Sequence, residues 1–512
     1  METILVISIT ALFAIFVTKI FLQARIRPKK SKEKILPPSP GFSLPVVGHL
    51  HLLRPPLLHR TLRSISAAVG PVFSLRLGSR LTVVVSSAAA AEECFLNAEN
   101  DVVLANRPRF VLGKYLAYDY PAMVTAPYGD HWRNLRRVCA GEILSANRLN
   151  GSMEIRQDEV KRLLRELYGL PGQRQAKVEL RPLLMGLTLN VITRMVAGKR
   201  YYGEEDAGDV QKAAEFRELV GEAYEFAGAT NPADFLPALR WFDYQSLVRR
   251  SKRVGERMDM FLQGLLDEHI AKRGTLEEFK DTMIAHLLDL RDKDPQYYTD
   301  ITIKGLILMM LTGGTDSSAL TVEWAMCNLL NHPNVFEAIK GKIDSYTRSG
   351  RLIKESDLSD MNYLNNVVLE TLRLYPPAPL LVPHFSSDDC AVGGYEIPRG
   401  TMVLVNAWAV HRDSCVGDDP ESFRPERFEG KEARDCKMMP FGLGRRACPG
   451  SVLANRVVGL VLGAMVQCFE WESCCGVPVD MTEGKGLTMP KADPLVVTCR
   501  PRDMARELLN VE

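Results

Sequence analysis

The chain has 512 residues, 46% of them hydrophobic, which is enough to bury a large core. Its 64 Lys and Arg are balanced by 62 Asp and Glu, so nothing in the charge points to nucleic acid as a partner. The eleven cysteines are scattered with no C-x-x-C pair, which excludes a disulfide framework and reads as a reduced compartment.

From Ile4 to Leu22 the sequence is apolar apart from a few hydroxyls and Lys19. At ~1.5 Å per residue that run just spans a ~30 Å hydrocarbon core. Glu2 precedes it and six basic residues follow between Gln23 and Lys34, the reverse of a cleaved signal peptide. The positive-inside rule keeps the basic flank, and all that follows, on the cytoplasmic side. Residues 1–23 are therefore expected to form a transmembrane signal anchor. Residues 24–41 read as a basic, proline-rich linker that stiffens at Leu36-Pro37-Pro38-Ser39-Pro40-Gly41, and 42–512 as one domain.

Val72–Leu77 and Leu81–Val85, separated by Gly78-Ser79, read as a β-hairpin. Helical periodicity dominates from about Asp130 to Leu374, with segments at Glu159–Leu167, Ala213–Phe226, Ser251–Lys272 and Ile303–Leu330. A second β-rich region covers Val382–Val405. A long apolar helix is expected at Val452–Phe469, and a final hairpin-like stretch at Leu487–Cys499. No repeat or linker divides this part. The expectation is a mainly α domain with a small β portion.

Four segments carry chemistry. Phe441-Gly442-Leu443-Gly444-Arg445-Arg446-Ala447-Cys448-Pro449-Gly450 sets one cysteine in a glycine-rich loop before the apolar helix. A thiolate there needs backbone N–H groups, a positive helix end or a metal to stay ionised, and read alone such a cysteine is more often buried and inert. Glu370 and Arg373 share a face of an otherwise apolar helix, where buried charges demand a network. Arg427, in Phe423-Arg424-Pro425-Glu426-Arg427-Phe428, is able to complete one. Gly313-Gly314-Thr315-Asp316-Ser317-Ser318 interrupts a long apolar helix with two glycines, each costing ~1 kcal/mol relative to alanine. Either a close helix crossing or a distortion that opens a groove beside an acid and an alcohol would explain them. Trp132 and Arg136, four apart, share a face of Asp130–Arg137.

In this order the four segments resemble those of cytochromes P450, and specifically plant microsomal ones. Pro379–Ser387 and Asp234–Pro237 are further similar to the group of isoflavone 2′-hydroxylases and sesamin synthase. The resemblance implies the cytochrome P450 fold and haem b, with Cys448 as the axial thiolate of the iron. It implies haem-propionate contacts from Trp132, Arg136, Arg446 and His384, a structural triad of Glu370, Arg373 and Arg427, and a proton relay of Asp316 and Ser317. It places the protein in the endoplasmic reticulum membrane with its catalytic domain cytosolic. Electrons would come from NADPH through a separate NADPH–cytochrome P450 reductase, since the chain has no flavin or dinucleotide motif. Arg133 and Arg137 are candidates for its docking face. By family position the pocket is lined by Phe110–Met123, Ala223–Asp234, Leu308–Thr315, Ala378–Val382 and Gly486–Thr488.

The implied activity is O2-dependent monooxygenation of an apolar or aromatic plant metabolite of flavonoid, lignan, benzophenone/xanthone or terpenoid type. The alternative is oxidative phenol coupling or methylenedioxy-bridge formation without net oxygen insertion. A non-catalytic haem or steroid binder would have no use for the Asp316-Ser317 pair. The sequence departs from the family pattern at Ser317, normally threonine, and at Ser414 and Gly417, normally proline and tryptophan.

Overall fold

The computed structural model describes residues 35–509, apart from 54–56, 171–175, 204–209, 229–230, 242, 274–280, 348–349, 414–416, 431–436 and 487. The expected anchor, most of the linker, and Ser414 lie outside the described residues. The principal elements begin with α1 (Leu58–Val69), β1 (Val72–Leu77), β2 (Arg80–Val85), α2 (Asp130–Val138), α3 (Met153–Tyr168), β3 (Ala176–Glu179) and α4 (Leu180–Ala197). Then come α5 (Val210–Gly228), α6 (Leu247–Lys272), α7 (Asp300–Gly314), α8 (Asp316–Asn331), α9 (Asn362–Leu374), β4 (His384–Phe385), β5 (Cys390–Val392) and β6 (Tyr395–Ile397). β7 (Met402–Val405), α10 (Ser451–Cys468), β8 (Phe469–Ser473), β9 (Val496–Pro501) and α11 (Asp503–Leu509) complete the set. The chain is mainly α with a small β portion.

Local chemistry sets the boundaries. Thr299 is extended and its hydroxyl accepts the Thr302 N–H, which starts α7 with a satisfied donor. The α9 helix stops at Leu374, ahead of Tyr375-Pro376-Pro377, where proline disfavours a helical predecessor. α4 and α10 are apolar enough to cross a membrane by composition, yet 67% and 72% of them are buried in protein, so they are core helices. With α3, α7, α8 and α9 they supply the largest apolar cluster.

The four-stranded sheet runs in the order β1-β2-β7-β4. β2 is antiparallel to β1 and parallel to β7, with Val84 opposite Leu404. Pairing on both edges suits the near-continuous apolar run of β2. The expected hairpin at Leu487–Cys499 is corrected: the strand there is β9, and it pairs with β8 and β3 rather than with its own upstream neighbours. Alternation identified a strand, but the partners lie about 27 and 320 residues back along the chain, beyond the reach of a local pattern.

Candidate active site

The cysteine loop is shaped by contacts as much as by glycine. Gly444 has φ +66, and a Cβ there would stand 2.4 Å from Asp101 Oδ1 and 2.7 Å from Phe95 O. The same carboxylate accepts the Arg445 N–H at 3.1 Å and pairs with Arg445 Nε at 3.2 Å. Cys448 N–H donates to Phe441 O at 2.8 Å, which closes the loop. Cys448 is exposed, whereas Cys94, Cys139, Cys327, Cys468 and Cys499 are buried. Desolvation pushes the Cys448 thiol up, against the Gly450 N–H and the charge of Arg136.

Arginines crowd beside the loop. Arg136 Nη1 donates to Ala447 O at 2.6 Å, next to the cysteine. Arg446 donates to Ala105 O (2.6 Å), Met123 O (2.8 Å) and Ala126 O (2.5 Å), and its guanidinium lies 4.5 Å from the Trp132 ring centre. Trp132 Nε1 donates to Met123 O at 3.2 Å. Buried His384 is hydrogen-bonded through Nδ1 to Leu104 O at 2.8 Å. Burial, with Arg107 close by, holds its pKa well below the usual range. The structure thus sets Arg136 beside Cys448 and brings Trp132 and His384 close to Arg446, two residues before it. Arg133 and Arg137 are exposed on α2 and pair with Asp130 and Glu142.

Sequence reasoning missed Arg107. Its Nη1 donates to Val382 O (2.7 Å) and Pro383 O (2.9 Å), while its buried Nε has no hydrogen-bond partner among the described residues. Burial and then Arg446 pull its guanidinium down to about 9, and burial with Arg136 brings Arg446 down to about 10. Cations depressed in this way are relieved by an anion. Its Asn-Arg-Pro setting carries no helical or strand periodicity, so it offered no signal.

Glu370, Arg373 and Arg427 meet, essentially without exposure. Arg373 grips Glu370 through Nε (2.6 Å) and Nη2 (2.8 Å), and Arg427 Nε reaches it at 3.4 Å. The remaining donors fasten the segment after β7: Arg373 to His411 O, Pro420 O and Ser422 O, and Arg427 to Asp418 O and Asp419 O. Gly417 abuts this network, for a Cβ there would meet Arg427 Nη1 at 3.2 Å. Sequence reasoning also missed His411. It bonds to Arg373 O at 3.1 Å through Nδ1 and accepts the Met439 N–H at 2.8 Å through Nε2, joining α9 to the approach of the cysteine loop. Burial brings its pKa down to about 3, so it is a fixed neutral bridge.

The two glycines of the pair have different surroundings. A Cβ on Gly314 would strike Ile192 Cδ1 of α4 at 2.6 Å, so this is a close crossing. A Cβ on Gly313 would meet nothing within 4 Å, and the helix is interrupted at Thr315 between α7 and α8. Ser317 Oγ donates to Gly313 O at 3.1 Å. Asp316 accepts a hydrogen bond from Thr488 Oγ1 through Oδ2, and burial raises its pKa against that bond and the charge of Arg181. Two of the expected lining segments touch, for Asp234 Oδ1 accepts Val111 N–H at 2.7 Å, and within the first of them Tyr120 donates to Phe110 O at 2.8 Å.

The cytochrome P450 family profile matches residues 37–497. The chain belongs to the cytochrome P450 family. It is 52% identical to cytochrome P450 81Q32 of Catharanthus roseus, over 96% of each chain. It is 48% identical to the (+)-piperitol/(+)-sesamin synthase of Sesamum radiatum over 99% of each. It is 47% identical to the isoflavone 2′-hydroxylase of Glycyrrhiza echinata over 97% of this chain and 98% of that one. Among solved structures, a zebrafish cytochrome P450 with progesterone superposes with a TM-score of 0.75 at 25% identity, covering 86% of this chain and 99% of that one. These relationships place the protein in the plant P450 81 family as a haem-thiolate monooxygenase. The residues present fit haem. One accessible thiol suits an iron whose equatorial ligands belong to the porphyrin, and an orphaned nitrogen within an arginine cluster suits carboxylates.

Proposed function

We propose that this cytochrome P450 hydroxylates a flat, apolar or aromatic plant metabolite of the flavonoid, lignan, benzophenone/xanthone or terpenoid type. The observation that carries this is near-full-length similarity, at 47–48% identity, to enzymes named for isoflavone and lignan chemistry. Bound haem supplies dioxygen activation, and its thiolate ligand pushes electron density to favour O–O cleavage. Cys448 would hold the iron, with Arg107, Arg136, Arg446, Trp132 and neutral His384 on the propionates. Glu370, Arg373 and Arg427 hold the loop's approach and touch no reacting atom. Asp316, whose raised pKa favours holding a proton, would release it toward the reacting oxygen with Ser317. Ser317 already donates to Gly313 O and keeps its lone pairs free to accept.

Residues 1–23 would anchor the protein in the endoplasmic reticulum membrane. NADPH–cytochrome P450 reductase would dock on the side carrying Arg133 and Arg137. Binding-difference spectra against flavonoids, lignans, benzophenones and diterpenes identify the substrate class. Turnover under labelled dioxygen then tests the reaction, and the expected product carries one labelled oxygen. A product without label replaces hydroxylation by the second reading, phenol coupling or methylenedioxy-bridge closure. Two observations favour that reading: the similarity to sesamin synthase, and a serine at 317, which lacks the methyl that limits threonine's rotamers.

A further inference from the structure

The interruption between α7 and α8 has a cause on another element. Tyr224, on α5, extends its hydroxyl to the interruption. There it donates to Thr312 O at 2.7 Å and receives the Asp316 N–H at 3.4 Å. Thr312 and Asp316 are four apart, so their C=O and N–H are the pair that an unbroken α-helix would join directly. A side chain inserted into that ladder is one of the few physical causes of a helix kink. The residue that takes up the bend is Thr315, at φ −94 and ψ −72, with its hydroxyl turned back onto Leu311 O at 2.8 Å.

Asp316 is thereby held at two points. Its amide is bound by α5, and its carboxylate by Thr488 from the segment leading to β9. Ser317, the next residue, takes its direction from the same turn of helix. On another side Gly314 packs close to α4, where a Cβ would strike Ile192 Cδ1 at 2.6 Å. The phenol suits the place: half-buried beside Asp316, its pKa is raised above the ordinary value by desolvation, so it stays a neutral donor and acceptor.

We propose that Tyr224 is a positioning residue for proton delivery: its hydroxyl keeps the helix open between Thr312 and Asp316 and so sets the aim of Asp316 and Ser317. The proposal rests on reading those two residues as the relay. A tyrosine that merely packs α5 onto the helix would make the same contacts with no effect on protons, and the test separates the two.

Tyr224→Phe keeps the ring and removes the oxygen. Without the wedge, the Asp316 amide pairs with Thr312 O, and its hydrogen exchange, read at single-residue resolution, is expected to slow about tenfold or more. The second measurement uses the haem-loaded full chain with its reductase and NADPH, and dioxygen as the only acceptor. The ratio of water to hydrogen peroxide formed is expected to fall at least threefold, with the thiolate-type spectrum of the reduced carbon monoxide complex unchanged. Unaltered exchange at Asp316 overturns the wedge. Slowed exchange with an unaltered ratio overturns the role in proton delivery and leaves Tyr224 a packing residue. Asp316→Asn run alongside separates the proposal from the reading beneath it. An unaltered ratio in Asp316→Asn defeats the relay itself, whereas a fallen ratio there with an unaltered Tyr224→Phe defeats only the role of Tyr224.

Discussion

Removing the charge of Glu483 tests how the segment carrying Thr488 is held. Its carboxylate is fully buried and accepts four donors: His59 Nε2 (2.9 Å), Arg60 Nε (2.8 Å), Arg60 Nη2 (3.0 Å) and Trp408 Nε1 (3.1 Å). These residues belong to α1 and to the short helix after β7, so one carboxylate ties three distant stretches together. Burial would raise its pKa, but the bonds from His59 and Arg60 outweigh it and bring it from 4.5 down to about 2. At ~1.4 kcal/mol per pH unit the difference corresponds to roughly 3.5 kcal/mol. Arg60 is half exposed and part of its field is screened, so about 2–3 kcal/mol is the working figure.

The sign follows from a depressed carboxylate. The stabilisation is complete above the unfolded value of 4.5 and is lost as pH falls toward about 2. Glu483→Gln should therefore lower the unfolding free energy in urea by about 2–3 kcal/mol at pH 7, read from tryptophan fluorescence in detergent. At pH 3.5 the gap between wild type and variant should narrow by about 1 kcal/mol. A variant within 0.5 kcal/mol of wild type at pH 7, or a gap that widens on acidification, would refute the reasoning.

Cys448→Ala should lose haem and all turnover while keeping its helical circular dichroism; full activity would end the haem-thiolate assignment. Glu370→Gln leaves two buried guanidinium groups without their anion, a cost of about 3–5 kcal/mol. Its reduced carbon monoxide complex should accordingly lack the thiolate-type Soret band. Gly444→Ala places a methyl 2.4 Å from Asp101 Oδ1 in a left-handed backbone, so haem incorporation should fall steeply, and normal incorporation would show that the loop tolerates the shift. Arg107→Leu removes a charged donor to the propionates, about 1.5–3 kcal/mol, and should raise haem dissociation roughly ten- to hundred-fold as measured by transfer to apomyoglobin.

Which parts were legible depended on how far each partner lies along the chain. Cys448 sits in a ten-residue loop, and Glu370 with Arg373 spans one helical turn, so each lies in a local motif whose resemblance to the family pattern exposes it. Arg427 was reachable because a buried Glu-Arg pair requires a further charge. Tyr224, Arg107 and His411 were not reachable. They act on backbone groups brought close by tertiary packing, and a tyrosine on a helix face or an arginine before proline carries no mark of such a role. The glycine pair shows a further limit: one cause was sought for both in sequence, yet the adjacent glycines face different surroundings, Gly314 against α4 and Gly313 against open space.

The parallel pairing of β2 with β7 has a consequence in time. Val84 and Leu404 are neighbours in the sheet, and 404 − 84 = 320 residues separate them along the chain. At roughly 5–20 residues per second, a ribosome needs about 16–64 s to travel that distance. During that interval the β1–β2 hairpin is able to form, but the far edge of β2, Thr-Val-Val-Val, has no partner and presents open backbone donors and acceptors. The nascent chain therefore carries an adhesive apolar edge for most of its synthesis. Its yield in any host should depend on what shields that edge until β7, in the last quarter of the protein, emerges.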